Sequence, residues 1–269
     1  MAFCFISFIY LQLYRLAVNC KNLSIVFLFF FHLGNIPAFA QNLRIAAAAN
    51  LQALMLALKA DFKKHTGITA EIITGSSGKL VAQISNGAPY DVFLSADMQY
   101  PETLHARGFT TGKPVVYAMG TLIICTSKKQ MLDKWQQILS NPETKKIAIA
   151  NPATAPYGKA AGQVLNKIAA FAAVKSKVVY GESVAQVNTY LTTGVADIGF
   201  TAKSVIYDTG NTNTLSWQEI NPQTYQPIKQ GIVILKHGAG NPAAKKFYHY
   251  LLGHSAKHIF KNYGYKPAS

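Results

Sequence analysis

The sequence predicts an α/β protein of two lobes, each a mainly parallel sheet flanked by helices, with a ligand cleft between the lobes. Three observations carry this expectation. Short apolar runs alternate with helical segments through polar or glycine-containing loops, the pattern of repeated βα units. Once a 40-residue leader is set aside, 229 residues remain, room for two lobes each with its own core. No Pro-, Gly- or Ser-rich linker interrupts them, so the lobes would be joined by crossings of the chain near Tyr117 and again near Lys229.

The leader is residues 1–40. It carries two cations, Arg15 and Lys21, and no acids, then an apolar run from Leu23 to Leu33 and the small-x-small exit Ala38-Phe39-Ala40. This reads as an export signal cut after Ala40. The run is about half of the roughly 20 residues that a membrane-spanning helix needs. The expected division is therefore 1–40 signal peptide, 41–117 with 230–269 as the first lobe, and 118–229 as the second.

Leu43 to Ala49 is a short apolar run that predicts a buried strand, and Asn50 follows where a helix N-cap would sit. Leu51, Leu54, Met55, Leu58 and Phe62 recur at helical spacing up to Gly67. Ile68 to Thr74 alternates as a second strand, Gly75-Ser76-Ser77-Gly78 turns the chain, and Leu80, Val81 and Ile84 mark a second helix. A strand over 91–95 and a helix around 101–107 complete the first series. The second half repeats the first in kind: extended over 115–125, helix 134–139, strand 147–150, helix 156–170, strand 178–180, helix 183–192 and strand 196–201. A strand at 231–235 and helices at 242–252 and 255–262 close the chain.

Composition narrows the function. Half of the residues are hydrophobic and 14% are charged, which excludes disorder and a coiled coil. Of three cysteines, Cys4 and Cys20 leave with the signal, so Cys125 stands alone and no intrachain disulfide is possible. No Cys follows the cut, which argues against a lipid anchor. Without Arg15 and Lys21, 24 basic and 11 acidic side chains remain, a net charge of +13. The basic residues are scattered with no aromatic-interleaved stripe, so nucleic acid is not the expected partner; a basic surface would draw in small anions.

Three loops place small or polar residues directly before a helix: Ala49-Asn50, Gly75-Ser76-Ser77-Gly78 and Ala155-Pro156-Tyr157-Gly158. A helix N-terminus leaves N–H groups unpaired and carries partial positive charge, so it binds an oxyanion without Lys or Arg. Each loop taken alone reads as an ordinary cap; several converging on a cleft would form an anion cage.

Other chemistries fit less well. Gly75 to Lys79 lacks the upstream Gly and downstream Ser or Thr of a phosphate-binding P-loop, having Ile73 and Leu80 there. Ser76 to Lys79 is formally S-x-x-K, the pattern of penicillin-recognising serine hydrolases, with no S-D-N or K-T-G companion. Cys125 in an apolar run reads as a buried small hydrophobe. His254 and His258 lack an acid between them and sit among lysines, so a solvated face is expected rather than zinc. Asp91 and Asp97 are expected to cap helices or brace the lobe interface.

Several stretches resemble one family: Ile45 to Leu51, Gly75-Ser-Ser-Gly-Lys-Leu80 with Gln83-Ile84, Asn86-Gly-Ala-Pro-Tyr-Asp91-Val-Phe-Leu-Ser-Ala-Asp97, Asn151-Pro152, Tyr157-Gly158 and Ile259 to Tyr265. Together they are similar to the periplasmic molybdate-binding proteins of ABC importers, over essentially all of Leu43 to Lys266. The resemblance implies a type II periplasmic-binding fold whose lobes close on molybdate or tungstate, held by neutral hydrogen bonds. It implies a non-enzymatic, cofactor-free monomer of the periplasm that delivers its ligand to an ABC-type inner-membrane permease.

Carried over residue by residue, the ligand contacts fall on Asn50, Ser77 and Tyr157 and on the backbone amide of Val184, with Ala49, Ser76, Gly78 and Gly158 as possible accessories. The chain departs from the family in having Ala49-Asn50 where many members have Ser or Thr, and Ala202 where they have a contacting Tyr; Tyr157 is the expected substitute. The alternatives are a receptor of the same fold for another solute, such as sulfate, phosphate, an organic acid or an amino acid, and an exported S-x-x-K hydrolase. An amino-acid receptor would supply an Arg, and beyond the leader the chain has only Arg44 and Arg107, neither near the three loops.

Overall fold

Side chains alternate between the two faces of a strand, so a strand apolar at successive positions needs cover on both sides. In the computed structural model, which describes residues 42–168, 171–207 and 215–268, strand β1 (Leu43–Ala48) sends Leu43, Ile45 and Ala47 to one face and Ala46 to the other. In β3 (Val92–Ser95), Val92 and Leu94 oppose Phe93 in the same way. Helix α1 (Gln52–Thr66) covers the first face through Leu54, Leu58 and Phe62, all fully buried. Each contributes about 1.5–3 kcal/mol of burial. Phe62 meets Phe247 of α8 (Pro242–Leu252) edge-on at 5.2 Å, and Phe260 of α9 (His254–Asn262) joins the same cluster. The opposite face is covered by Leu80 and Ile84 of α2 (Ser77–Ser85) and Leu104 of α3 (Gln99–Ala106). Gly67 stops α1 in a left-handed conformation (φ 71°), its N–H returning to the Lys63 carbonyl at 2.8 Å.

Two mixed sheets result. The first has the order β11-β4-β10-β3-β1-β2, with β2 at Ala70–Gly75, β4 at Val115–Gly120, β10 at Ile228–Ile234 and β11 at Lys266–Pro267. The second has the order β7-β6-β8-β5-β9, with β5 at Leu122–Thr126, β6 at Ile147–Ala150, β7 at Val178–Gly181, β8 at Ile198–Ala202 and β9 at Ser216–Glu219. Helices α4 (Trp135–Ser140), α5 (Pro156–Lys167), α6 (Phe171–Lys175) and α7 (Val184–Thr192) belong to this half. Its core includes Trp135 and Phe200, edge to face at 5.6 Å, with Val164, Val187 and Leu191.

Parallel pairing is found where βα units predict it, β1 with β2 and β3, and β6 with β7 and β8. The strands at which the chain changes sheets are antiparallel to their neighbours: β10 pairs with β3 and β4, and β5 with β8 and β9. Parallel neighbours need a crossover connection, which a strand arriving from the other sheet does not have. Thr121 alone separates β4 from β5. The expected division at 117/118 and 229/230 falls inside β4 and β10, because these strands stay paired as far as Gly120 and Ile228. The expected signal peptide lies outside the described residues. No helix among those described is long and apolar enough to cross a membrane.

Candidate functional site

Five parallel strands, three from the first sheet and two from the second, end at one small cavity. Its wall is formed by Ala48 at the end of β1 with Ala49 and Asn50 after it, by Ser76 and Ser77 after β2, by Ala155, Pro156 and Tyr157 after β6, and by Ser183 and Val184 after β7, with Ala96 after β3. This is the position, beyond the carboxyl ends of parallel strands, where α/β sheets receive ligands. Four of these ends, those of β1, β2, β6 and β7, lead into a helical turn: a 3₁₀ turn at Ala49–Leu51, then α2, α5 and α7. The first N–H groups of each turn have no intrahelical acceptor.

None of the four starts is closed by a side chain, although two of the capping positions are Ser76 and Ser183, a residue type that caps well. Asn241 shows the ordinary arrangement at α8, its Oδ1 accepting from the Ala243 N–H at 3.0 Å. Ser76 is 3% exposed and its hydroxyl has no partner among the described residues. The Ser77 oxygen accepts from the Ala96 N–H at 3.0 Å, which leaves its hydrogen to donate. Among the described residues the wall contains no Lys, Arg, His, Asp or Glu. Its one ordinarily titratable group, Tyr157, is held well above the usual phenol range by burial first and by the neighbouring Tyr265, Tyr117 and Tyr225, so it stays a neutral hydroxyl. Such a wall offers donors without fixed charge.

Six of the eight candidate residues are brought together here: Ala49, Asn50, Ser76, Ser77, Tyr157 and Val184. Gly78 and Gly158 are not in the wall. The Gly78 N–H is occupied by the Thr154 carbonyl at 2.9 Å, and a Cβ on Gly78 would stand 3.0 Å from the Thr154 Cα. A Cβ on Gly158 would collide with the Ala150 carbonyl, so this glycine lets α5 pack against the end of β6.

Asn50 differs from the expected cap. Ala48 occupies the cap position of the 3₁₀ turn and α1 starts only at Gln52. The Asn50 amide donates to Gln230 Oε1 and to the Tyr265 hydroxyl, both at 2.8 Å, and the Tyr265 hydroxyl in turn donates to the Asn50 carbonyl at 2.8 Å. With its side chain so engaged, this loop presents its turn-start backbone N–H groups. Gln230 and Ser204, which organise the loop with Tyr265, carry no local motif, whereas Tyr265 closes the Ile259 to Tyr265 stretch.

Bonds join the two halves around the cavity. Besides Gly78 to Thr154, the Tyr100 hydroxyl donates to the Ala153 carbonyl at 3.1 Å, Lys159 Nζ donates to Gln99 Oε1 at 3.1 Å, and Lys79 pairs with Glu182 at 3.3 Å. Lys79 is thus turned to Glu182 and the Ser76 hydroxyl has no base, which removes the geometry an S-x-x-K hydrolase needs. Cys125 is fully buried and burial lifts its thiol to about 12. His254 and His258 lie on the exposed side of α9. Asp97 accepts from the Tyr100 N–H at 3.2 Å near the start of α3, as a capping carboxylate does. Asp91 is buried within the first half, holding the Arg44 N–H at 2.7 Å and His237 at 3.1 Å, and does not brace the interface.

The family model of bacterial extracellular solute-binding proteins matches residues 43–266. The molybdate-binding protein ModA of Azotobacter vinelandii is 41% identical over 227 residues, covering 84% of this chain and 90% of that protein. Its namesake from Rhodobacter capsulatus is 35% identical over 231 residues, covering 86% and 90%. The solved periplasmic molybdate-binding protein of Azotobacter vinelandii superposes with a TM-score of 0.79 at 35% identity, over 85% of this chain and all of that one.

Proposed function

The chain belongs to the bacterial extracellular solute-binding proteins, and from that premise we propose that it captures a single molybdate or tungstate dianion and delivers it to an ABC-type permease. The observation that carries this reading is the convergence of four uncapped helix starts, two from each half, on one cavity with an uncharged wall. Helix-start N–H groups favour a dianion through their partial positive charge. Bonds to a charged acceptor are also about twice as strong as neutral ones. The relatives that match over most of the chain are named for molybdate.

In this mechanism the first lobe offers the N–H groups of the Asn50 loop and the Ser76 and Ser77 hydroxyls. Closure adds Tyr157 and the Val184 N–H from the second, with the Tyr157 hydroxyl serving where Ala202 has none. Closure excludes water, which strengthens each remaining bond. The small volume of the cavity selects by size between tetrahedral oxyanions and rejects organic acids. The protein works outside the inner membrane, after its leader is removed, as a monomer without cofactor or catalysis.

Calorimetric titration with molybdate, tungstate, sulfate and phosphate in parallel tests the proposal. Tight binding of the first two with weak or absent binding of the others is the expected result; silence for both metal oxyanions overturns it.

A further inference from the structure

We propose that Gln230 is a positioning residue of the oxyanion site, one amide that ties two segments of its wall together beside a third without touching the solute. The inference rests on the reading of the cavity given above.

Gln230 is fully buried in β10, at the point where the register with β4 shifts between Gln230 and Gly231. A bulge re-aims a side chain out of the regular alternation of its strand. Gln230 Oε1 accepts from Asn50 Nδ2 at 2.8 Å, and its Nε2 donates to the Ala96 carbonyl at 3.1 Å. The Ala96 N–H is the group that holds the Ser77 oxygen. The third neighbour is on the other half of the molecule, where the Tyr157 hydroxyl and Gln230 Nε2 lie together beside Gly120. Gly120 leaves room for this meeting, since a Cβ there would collide with the Tyr157 hydroxyl and stand 2.8 Å from Gln230 Nε2.

The other contacts of the Gln230 amide are longer, the Tyr117 hydroxyl donating to Oε1 and Nε2 donating to the Ile228 carbonyl, both at 3.5 Å. This amide bonds the loop after β1 and the loop after β3, and lies beside the Tyr157 hydroxyl at the start of α5. It also sits on the strand by which the chain returns from the second sheet to the first. A displacement of β10 on opening or closing therefore reaches Asn50, Ser77 and Tyr157 together. In a water-free interior the alternative to these bonds is an unsatisfied amide, which makes their loss costly.

The test uses protein expressed from the full chain, as wild type, Gln230→Met, which keeps the volume and deletes the bonds, and Gln230→Glu, which keeps the acceptor for Asn50 and loses the donor to Ala96. Circular dichroism first establishes that each variant is folded; should Gln230→Met fail to fold, Gln230→Glu takes its place throughout. Molybdate affinity is expected to fall roughly tenfold in Gln230→Met, the loss of about one buried hydrogen bond. In a double-mutant cycle Tyr157→Phe should cost less on the Gln230→Met background than on wild type, a coupling that general destabilisation does not produce.

Hydrogen exchange on the ligand-free protein supplies a readout that needs no ligand: the amides of residues 49–51 and 96 should exchange faster in Gln230→Met while those of β6 do not change. Wild-type affinity in the variant, or additive losses, or unaltered exchange at both loops overturns the role of Gln230. A wild type that ignores molybdate overturns the ligand assignment instead, and the exchange data then still decide on Gln230.

Discussion

Ser204 donates its hydroxyl to the Asn50 carbonyl oxygen at 2.7 Å, fastening the 3₁₀ turn that follows β8 of the second sheet to the loop that follows β1 of the first. The same hydroxyl lies 3.3 Å from that of Tyr265. Because this bond joins the two halves, its worth should appear in closure. Ser204→Ala is expected to weaken molybdate binding by about 1 kcal/mol through a faster off-rate. Stopped-flow measurement separates the two rate constants; an unchanged off-rate would show that the bond does not hold the closed form.

The two serines before α2 should behave differently. Ser77 supports the Ala96 N–H as well as the solute, so Ser77→Ala should lower both thermal stability and affinity, the latter by about 1.5–3 kcal/mol. Ser76 has no hydrogen-bond partner among the described residues to lose. Ser76→Ala should leave the melting temperature of the free protein in place and reduce affinity alone, as read by calorimetry beside a thermal melt.

Gly78 is where the backbones of the two halves come together. Gly78→Ala would set a Cβ 2.8 Å from the Tyr100 hydroxyl and 3.0 Å from the Thr154 Cα. The Tyr100 hydroxyl is the end of a side chain and would give up its bond to Ala153, whereas the Thr154 contact is with backbone. An overpacking cost of about 1–3 kcal/mol should fall on the closed form, so affinity drops while the free protein melts as before. Small-angle scattering with saturating molybdate should show the variant remaining more extended than wild type.

Asp197 gives a pH-dependent term. Burial alone would raise its pKa, but Lys128 Nζ at 2.8 Å and the Lys146 and Lys145 N–H groups at 3.0 and 2.9 Å hold it below the ordinary 3.8. A carboxylate with a depressed folded-state pKa adds stability that is complete above 3.8 and is lost as the pH falls below it. Asp197→Asn should therefore be less stable than wild type at pH 7, by about 1 kcal/mol, with the gap closing in strong acid. Urea midpoints at the two pH values check the sign.

With a charge of +13 over residues 41–269, association with a dianion should be faster at low salt than at high salt, and the off-rate should respond less. An on-rate flat in ionic strength would locate capture in the local donors alone.

The parts of this molecule legible in its sequence are those fixed by neighbours in the chain. Leu43 to Ala48, the spacing of Leu54, Leu58 and Phe62, and the turn at Gly75 to Gly78 each state their structure within a few residues, and so the wall segments could be named. Asn50 could not be placed in the same way. Its side chain answers to Gln230 and Tyr265, 180 and 215 positions away, and these override its local preference for capping. The antiparallel strands had the same obscurity: which neighbour β4, β5 or β10 takes depends on where the chain crosses between sheets. Ser183 follows β7 as visibly as Ser76 follows β2, yet only the meeting of the five strand ends gives the two a common purpose.

The uncharged wall has a consequence for the conditions under which the protein serves its cell. A collector that gripped its cargo with lysine, histidine or carboxylate would have an affinity that drifts with the acidity of its surroundings, outside any compartment the cell can buffer. Here the one phenol in the wall is kept neutral by burial, and backbone N–H groups do not titrate. Retention then depends on the chemistry of the cargo rather than on the weather around it, so supply holds steady while the medium sours or sweetens.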